Sequence, residues 1–270
     1  HVHLLHAQSR AHRIGVLHRD PGAVMAQVTV RQVLQGLAAG LHARTLGQLI
    51  DVFDGRQDLE RKILRTPLEP KTTFSDDPLR MMRAARFAAR FGFAIEPEAL
   101  EAMTQMSDRI RIISQERITD EFMKMLGAPK PSIGLNILHD TGILKYIFPE
   151  VERLAGIDLV QIGEQEYAHK DVFYHTLQVL DNLSAVSDNI WLRFATLMHD
   201  IAKPKTKRFI PGVGWSFHGH EEIGARWQAS IFRRMKLSLD HLPYVEKLVR
   251  LHQRPMVLLD DIVTDSAVRR

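Results

Sequence analysis

The 270-residue sequence contains no cysteine. That excludes disulfides, thiolate metal ligands and a cysteine nucleophile from this chain, and it suits a reducing compartment. No apolar run approaches the ~18 residues of a membrane span, so no membrane partner is expected. Residues 1–50 have no lysine and one acid, Asp20, against five arginines (Arg10, Arg13, Arg19, Arg31, Arg44) and six of the 14 histidines. The whole net charge of +4 sits there, because residues 51–270 balance 31 basic against 31 acidic residues. Such asymmetry marks a nucleic-acid arm or an abnormal segment. There is no initiator Met and no signal-peptide layout, and Arg269-Arg270 ends the chain without a cap, so both ends are expected to be cut.

What is present reads as globular. The hydrophobic fraction is 45%, above the range of disordered chains, and the length suggests about two domains. Residues 24–41 give a weak helix, and Leu46–Phe53 reads as a short strand ended by the Asp54-Gly55 turn signal. Asp58–Leu64 gives one or two helical turns, and Pro67 and Pro70 punctuate a loop. From residue 76 the pattern is helical almost throughout. Asp76-Asp77-Pro78 starts a helix that Gly92 ends. Helices are predicted over Pro97–Met106, Gln115–Leu126, Pro131–Asp140, Gly142–Phe148, Val172–Leu183, Ile190–Ala202, His218–Met235 and His241–Arg254. A connection at about 155–170 is the best domain boundary. The fold class is mainly α, with a small α/β remnant in front.

The first chemical constellation lies on the helix after Asp76. At 100° per residue, Arg80, Arg83, Arg86 and Arg90 share one side, while Met81, Met82, Ala85, Ala88 and Ala89 fall largely opposite. A solvated basic face over an apolar stripe explains this pattern. Recognition of phosphate or base by guanidinium groups explains it too, and no acidic i+4 partners favour the first explanation. A carboxylate only accepts hydrogen bonds and a guanidinium only donates. Asp77 and Arg80, three apart and projecting together, would therefore select bases that pair an amino donor with a ring-nitrogen acceptor, namely cytosine and adenine.

The run Asp76-Asp77-Pro78-Leu79-Arg80 with Arg83-Ala84-Ala85-Arg86-Phe87 resembles the nucleotide-selecting motif of bacterial CCA-adding tRNA nucleotidyltransferases and poly(A) polymerases. That family's pattern is Glu-Asp-x-x-Arg, so Asp76 departs from it by one methylene. Leu49–Gly55 and Asp58–Arg65 resemble the close of the family's catalytic head, and Arg111–Ile118 with Glu121 its helical neck. The resemblance implies CTP and ATP as substrates, tRNA as partner, Mg²⁺ as cofactor and a cytoplasmic location. It implies nucleotide contacts from Asp77, Arg80 and Arg83, and RNA contacts from Arg86, Arg90, Arg111 and Arg117. The family holds two Mg²⁺ on an Asp-x-Asp pair beside a Gly-Gly loop. Residues 1–50 contain neither, and Gln27–Ala38 does not match the expected Arg-Arg-Asp…Asn segment. Residues 1 to about 40 are therefore expected to be an altered head, as a shifted reading frame would produce, and the chain is expected to be inactive as a polymerase.

The second constellation is a set of spaced histidines: His175, His199-Asp200, His218, His220 and His252. The helix at 190–202 is apolar nearly all round and reads as buried, which buries Asp200 as well. A His–Asp hydrogen bond satisfying two core groups is one explanation, and a divalent metal site is the other. The pattern resembles the HD phosphohydrolase superfamily. That resemblance implies His175, His199 and Asp200 as metal ligands, His220 and His252 as further ligands or phosphate-facing groups, and Lys203 as a phosphate neutraliser. Lys205, Lys207 and Arg208 also read as a plain solvated loop. Family spacing places the last ligand, an Asp, beyond Arg270, although Asp260, Asp261 and Asp265 are available.

The sequence thus divides into an altered head remnant (1–65), a helical nucleotide- and RNA-binding region (66–160) and a C-terminally truncated HD domain (161–270). The reading for the parent family is CCA addition in tRNA 3′-end processing. The alternatives are a metal-dependent HD phosphohydrolase acting on nucleotides or other phosphoesters, and a non-catalytic RNA-binding module.

Overall fold

A computed structural model describes Asp51, residues 53–162 and residues 165–254. The chain divides into two compact units, residues 1–63 and 64–270. The described part of the first unit is built on helix α1 (Gly55–Arg61). The Asp51 carboxylate accepts the Gly55 and Arg56 N–H groups at 2.8 and 2.9 Å, satisfying two donors of the opening turn. Those bonds hold its pKa below the ordinary carboxylate value. The predicted helix at 24–41 and nearly all of the predicted strand at 46–53 lie outside the described residues.

The second unit is mainly helical. Its first helix, α2 (Pro70–Asp76), replaces the loop that the two prolines suggested. Pro70 takes the first helical position, where its missing N–H costs nothing, and the Glu69 carboxylate caps the turn by accepting the Thr72 N–H at 2.7 Å. Helix α3 (Leu79–Phe91) follows, ended by Gly92 as predicted. It buries Met81, Met82, Ala85, Ala88 and Ala89, the stripe opposite the arginines. Next come α4 (Pro97–Gln105), α5 (Gln115–Leu126), α6 (Pro131–Asp140) and the single turns α7 (Leu144–Ile147) and α8 (Pro149–Glu152). Helix α3 packs on α5 and α6. Gly134 of α6 permits that approach, since a Cβ there would lie 2.4 Å from Met125 Sδ and 3.0 Å from the Ala85 carbonyl.

The connection expected at 155–170 holds strands β1 (Leu159–Ile162) and β2 (Gln165–Ala168), an antiparallel pair with Leu159 opposite Ala168. Beyond it lie α9 (Val172–Ser184), α10 (Ile190–Met198), the turn α11 (Lys203–Thr206), an antiparallel hairpin of β3 (Arg208–Ile210) and β4 (Gly214–Ser216), then α12 (His220–Arg234) and α13 (Leu242–Leu251). The helices on either side of β1–β2 share one core. Ring contacts run from Phe122 to Phe148 at 5.4 Å, on to Phe194 at 6.5 Å, and from Phe194 to Phe232 at 5.5 Å.

Arg193 of α10 lies inside that core at 2% exposure. Its Nε donates to the Ser187 carbonyl, Nη1 to the Leu126 and Ala128 carbonyls, and Nη2 to the Ser184 carbonyl and the Asp188 carboxylate, all within 3.2 Å. A guanidinium has five N–H donors, so every one is satisfied. The carbonyls of Leu126, the last residue of α5, and of Ala128 just past it are thereby tied to α10. No helix among the described residues is long and apolar enough to cross a membrane.

Candidate functional site: a His–Asp centre and an arginine-bearing helix

Four elements deliver the histidines. The Asp171 side chain caps α9 by accepting the Tyr174 N–H at 3.2 Å, which fixes the first turn that carries His175. Asn189 caps α10 by accepting the Trp191 and Leu192 N–H groups, and His199-Asp200 follow the last turn of that helix. Gly219, in the left-handed region at φ 80°, turns the chain so that His220 opens α12. His252 follows the last residue of α13.

These groups converge on Asp200, whose residue is 1% exposed. His199 Nε2 lies 3.2 Å from Asp200 Oδ2, and His220 Nε2 lies 3.1 Å from Oδ1. His252 Nε2 is 3.7 Å from Oδ1, and Lys203 Nζ is 2.6 Å from Oδ2. Two ligand sets result: His175, His199 and Asp200, and Asp200, His220 and His252. The predicted triad and all three phosphate-facing candidates, His220, His252 and Lys203, therefore meet at one carboxylate. His218 is exposed and joins neither set. Asp260, Asp261 and Asp265 lie outside the described residues.

One detail fixes what the rings offer. His199 Nδ1 faces the Thr196 carbonyl at 2.6 Å, His220 Nδ1 the Phe217 carbonyl at 2.8 Å, and His252 Nδ1 the Val249 carbonyl at 2.7 Å. A carbonyl only accepts, so each Nδ1 carries the proton and each Nε2 is left to face the centre. A neutral ring then presents a lone pair toward an anionic oxygen. His220 and His252 present theirs to each other at 3.2 Å. This donor set needs a cation or added protons to be at rest, and imidazole with carboxylate is a fitting set for a divalent metal.

Burial pushes the Asp200 carboxyl up, but hydrogen bonds from His199 and His220, which need a proton on Nε2, and the Lys203 charge outweigh it and hold the group well below the usual range, so added protons can stand in for a cation. Burial is the main cause that lowers the pKa of His175 and of His252. Both are therefore neutral at pH 7, as ligands must be.

The other candidate residues lie around α3. Asp77 accepts from Arg117 Nη2 at 3.2 Å and from the Leu79 N–H at 3.3 Å. Arg80 donates to the Thr73 carbonyl at 3.2 Å. Asp77 and Arg80 thus flank the start of α3, each steadied by a different neighbour. Arg83 and Arg86 converge on Glu121 of α5, Nε to carboxylate, at 3.3 and 2.6 Å. Glu121 is buried, Arg86 is 17% exposed and lies over the Phe87 ring, and Arg83 is 48% exposed. Arg90 is exposed, and Arg111 lies 5.9 Å from the Tyr146 ring. The acidic partner of the stripe comes from another helix, which α3's own spacing does not reveal. Arg193 was also missed, because a single arginine on an apolar helix carries no periodic signal.

A family model described as the probable RNA and SrmB-binding site of polymerase A matches residues 92–154, and the HD domain model matches residues 172–267. The multifunctional CCA protein of Methylococcus capsulatus is 34% identical over 244 residues, which is 88% of this chain and 54% of that protein. Its counterpart from Psychromonas ingrahamii is 36% identical over 197 residues, 71% of this chain and 46% of that protein. The crystal structure of the Bacillus stearothermophilus CCA-adding enzyme in complex with CTP superposes with a TM-score of 0.51 at 25% identity, over 81% of this chain and 45% of that one. A polymerase-A RNA-binding segment followed by an HD domain defines the class. Within it, the chain belongs to the family of CCA-adding tRNA nucleotidyltransferases and poly(A) polymerases with an HD domain. It spans about half the length of the curated relatives it matches.

Proposed function

We propose that this chain provides the nucleotide-selecting and RNA-binding part, together with the HD domain, of a cytoplasmic CCA-adding tRNA nucleotidyltransferase. Residues 1–65 are the altered remnant of a head, 66–160 the nucleotide- and RNA-binding region, and 161–270 the HD domain. Asp77, Arg80 and Arg83 contact the incoming CTP or ATP, and Arg86, Arg90, Arg111 and Arg117 contribute to the tRNA track. The observation that carries this reading is the placement of Asp77, Arg80 and Arg83 at the start of α3, with Arg83 braced by Glu121. In the parent reaction Mg²⁺ supplies charge neutralisation at the transferred phosphoryl group. Residues 1–50 hold one acid, Asp20, too few to bind a metal pair. The chain alone therefore does not incorporate radiolabelled CTP into a tRNA lacking its CCA end, and measured incorporation would overturn that part.

A second activity is favoured by the Asp200 centre: metal-dependent hydrolysis of a phosphoester by the HD domain. A bound divalent ion supplies a water of lowered pKa. His175, His199 and Asp200 hold it, His220 and His252 complete the donor set around Asp200, and Lys203 faces the phosphate. Phosphate release that requires added metal and is lost in His199→Ala supports this. Metal binding that fails under every loading condition rejects it.

A further inference from the structure

A 3₁₀ turn, Ser107–Ile112, connects α4 to α5 and lies against α7. In such a turn residues three apart eclipse, so Arg109 and Arg111, two apart, diverge. Arg109 points to the end of α2, where its Nη2 donates to the Ser75 carbonyl at 3.2 Å, two residues before Asp77. Arg111 points to α7, where its guanidinium carbon lies 5.9 Å from the centre of the Tyr146 ring. Lys145 Nζ lies 4.9 Å from the same centre.

Two cations thus share one aromatic ring, which attracts both and neutralises neither. Neither has an acidic partner among the described residues. Asp108 and Asp140, acids close by in sequence, are exposed and pair with neither. The acids of α8 are engaged elsewhere, Glu150 by Arg234 at 2.6 Å and Glu152 by His139 at 2.9 Å. The hydroxyl of Tyr146, a half-buried residue, also has no hydrogen-bond partner among the described residues. A guanidinium and an ammonium, which only donate, beside a phenol with a free O–H make a setting for an anion.

Among the described residues no hydrogen bond or ion pair joins Arg111, Lys145 or Tyr146 to Asp77, Arg80 or Arg83. The patch therefore stands apart from the base-selecting residues, while Arg109 ties its 3₁₀ turn to the segment that carries Asp77. A polynucleotide laid from one to the other fits that arrangement. We propose that Arg111, Lys145 and Tyr146 form a phosphate subsite for the RNA backbone, with Lys145 and Tyr146 as further tRNA-positioning residues. The proposal rests on the RNA-binding reading and gives it two residues and a place.

The test is filter binding of a tRNA lacking its CCA end to the full chain at several salt concentrations. Lys145→Gln is expected to weaken binding at low salt by about threefold to tenfold and to make the salt slope shallower by about one unit, as for one lost phosphate contact. Tyr146→Phe keeps the ring under both cations and removes one neutral donor, so it is expected to weaken binding by about threefold with the slope unchanged. Both variants should keep the wild-type melting midpoint and CTP affinity, because Lys145 is exposed and neither residue touches Asp77 or Arg80. Wild-type affinity and slope in Lys145→Gln overturn the subsite, as does an equal loss of CTP binding. Wild-type affinity in Tyr146→Phe removes the hydroxyl from it. If wild type itself shows no salt-dependent tRNA binding, the RNA-binding reading fails and the subsite with it, whereas salt-dependent binding that both variants retain removes the subsite alone.

Discussion

His220 Nε2 lies 3.1 Å from Asp200 Oδ1 while its Nδ1 is held by the Phe217 carbonyl at 2.8 Å. The carbonyl thus fixes the ring's position and keeps a proton on Nδ1 before any ligand arrives, and His199 and His252 repeat the device. Pre-set tautomers are what a metal centre requires of its surroundings.

Asp200 is the hub of this arrangement, so Asp200→Asn should abolish it. Wild-type protein is expected to show a rise in melting midpoint that grows with added divalent metal, and the variant to show none. Without metal the variant loses the anion that pairs Lys203, whose side chain is 22% exposed, and a lost charge-assisted hydrogen bond there costs about 1.5–3 kcal/mol. Urea denaturation with and without metal measures both effects.

Glu121 holds Arg83 and Arg86 together. Glu121→Gln removes the charge that receives them, and a lost charge-assisted hydrogen bond costs about 1.5–3 kcal/mol. Stability is expected to fall by about that amount. Binding of CTP is expected to weaken as well, because Arg83 loses its brace. Denaturation midpoints and equilibrium CTP binding report the two separately.

Arg193 satisfies four backbone carbonyls and one carboxylate from inside the core. Arg193→Leu leaves those carbonyls unpaired at about 1–3 kcal/mol each, enough to unfold the domain. Arg193→Lys is expected to rescue little, since one ammonium has three donors and no planar fork. Soluble yield and far-UV circular dichroism check this.

Glu222 links α12 to α13 by accepting from Arg226 at 2.9 Å and Arg250 at 2.8 Å. The Arg250 contact first, then Arg226, lowers its pKa below 4.5. A depressed carboxylate stabilises the fold above its unfolded pKa, and that contribution is lost as pH falls through the folded value. Glu222→Gln is therefore expected to melt earlier than wild type at pH 7. The gap should narrow below about pH 4.5 and close in stronger acid. A gap that stays constant from pH 7 to pH 3 would remove the charge pairing as its cause.

An RNA-binding role for the arginine stripe makes a separate demand. tRNA affinity should fall steeply with salt, and the slope should become shallower in the Arg83→Glu/Arg86→Glu variant by roughly one unit per lost phosphate contact. Filter binding at several salt concentrations measures it.

Much of this was readable along the chain. The period of 3.6 gave α5, α6 and the Gly92 end of α3 to the residue, because each buries one apolar stripe and has a Gly or Pro marking an end, whereas α3 starts at Leu79 because Asp76 belongs to the end of α2. Burial cost singled out His199-Asp200, because a carboxylate at the end of a buried helix needs a partner, while the set with His175 came from the resemblance to the HD superfamily. The loop predicted at Pro70 became α2 because proline is tolerated in a first turn, a context that composition does not distinguish from a turn.

The sequence by itself determined the helical class, the arginine face of α3 and the burial of His199-Asp200, all set by local periodicity and by the cost of burying charge. Only the tertiary structure decided which groups meet. Glu121 lies 35 residues from Arg86, His252 lies 32 residues from His220, and Arg193 reaches 67 residues back to Leu126. Such pairings depend on how the helices close around one core, and no spacing within a single helix encodes that closure.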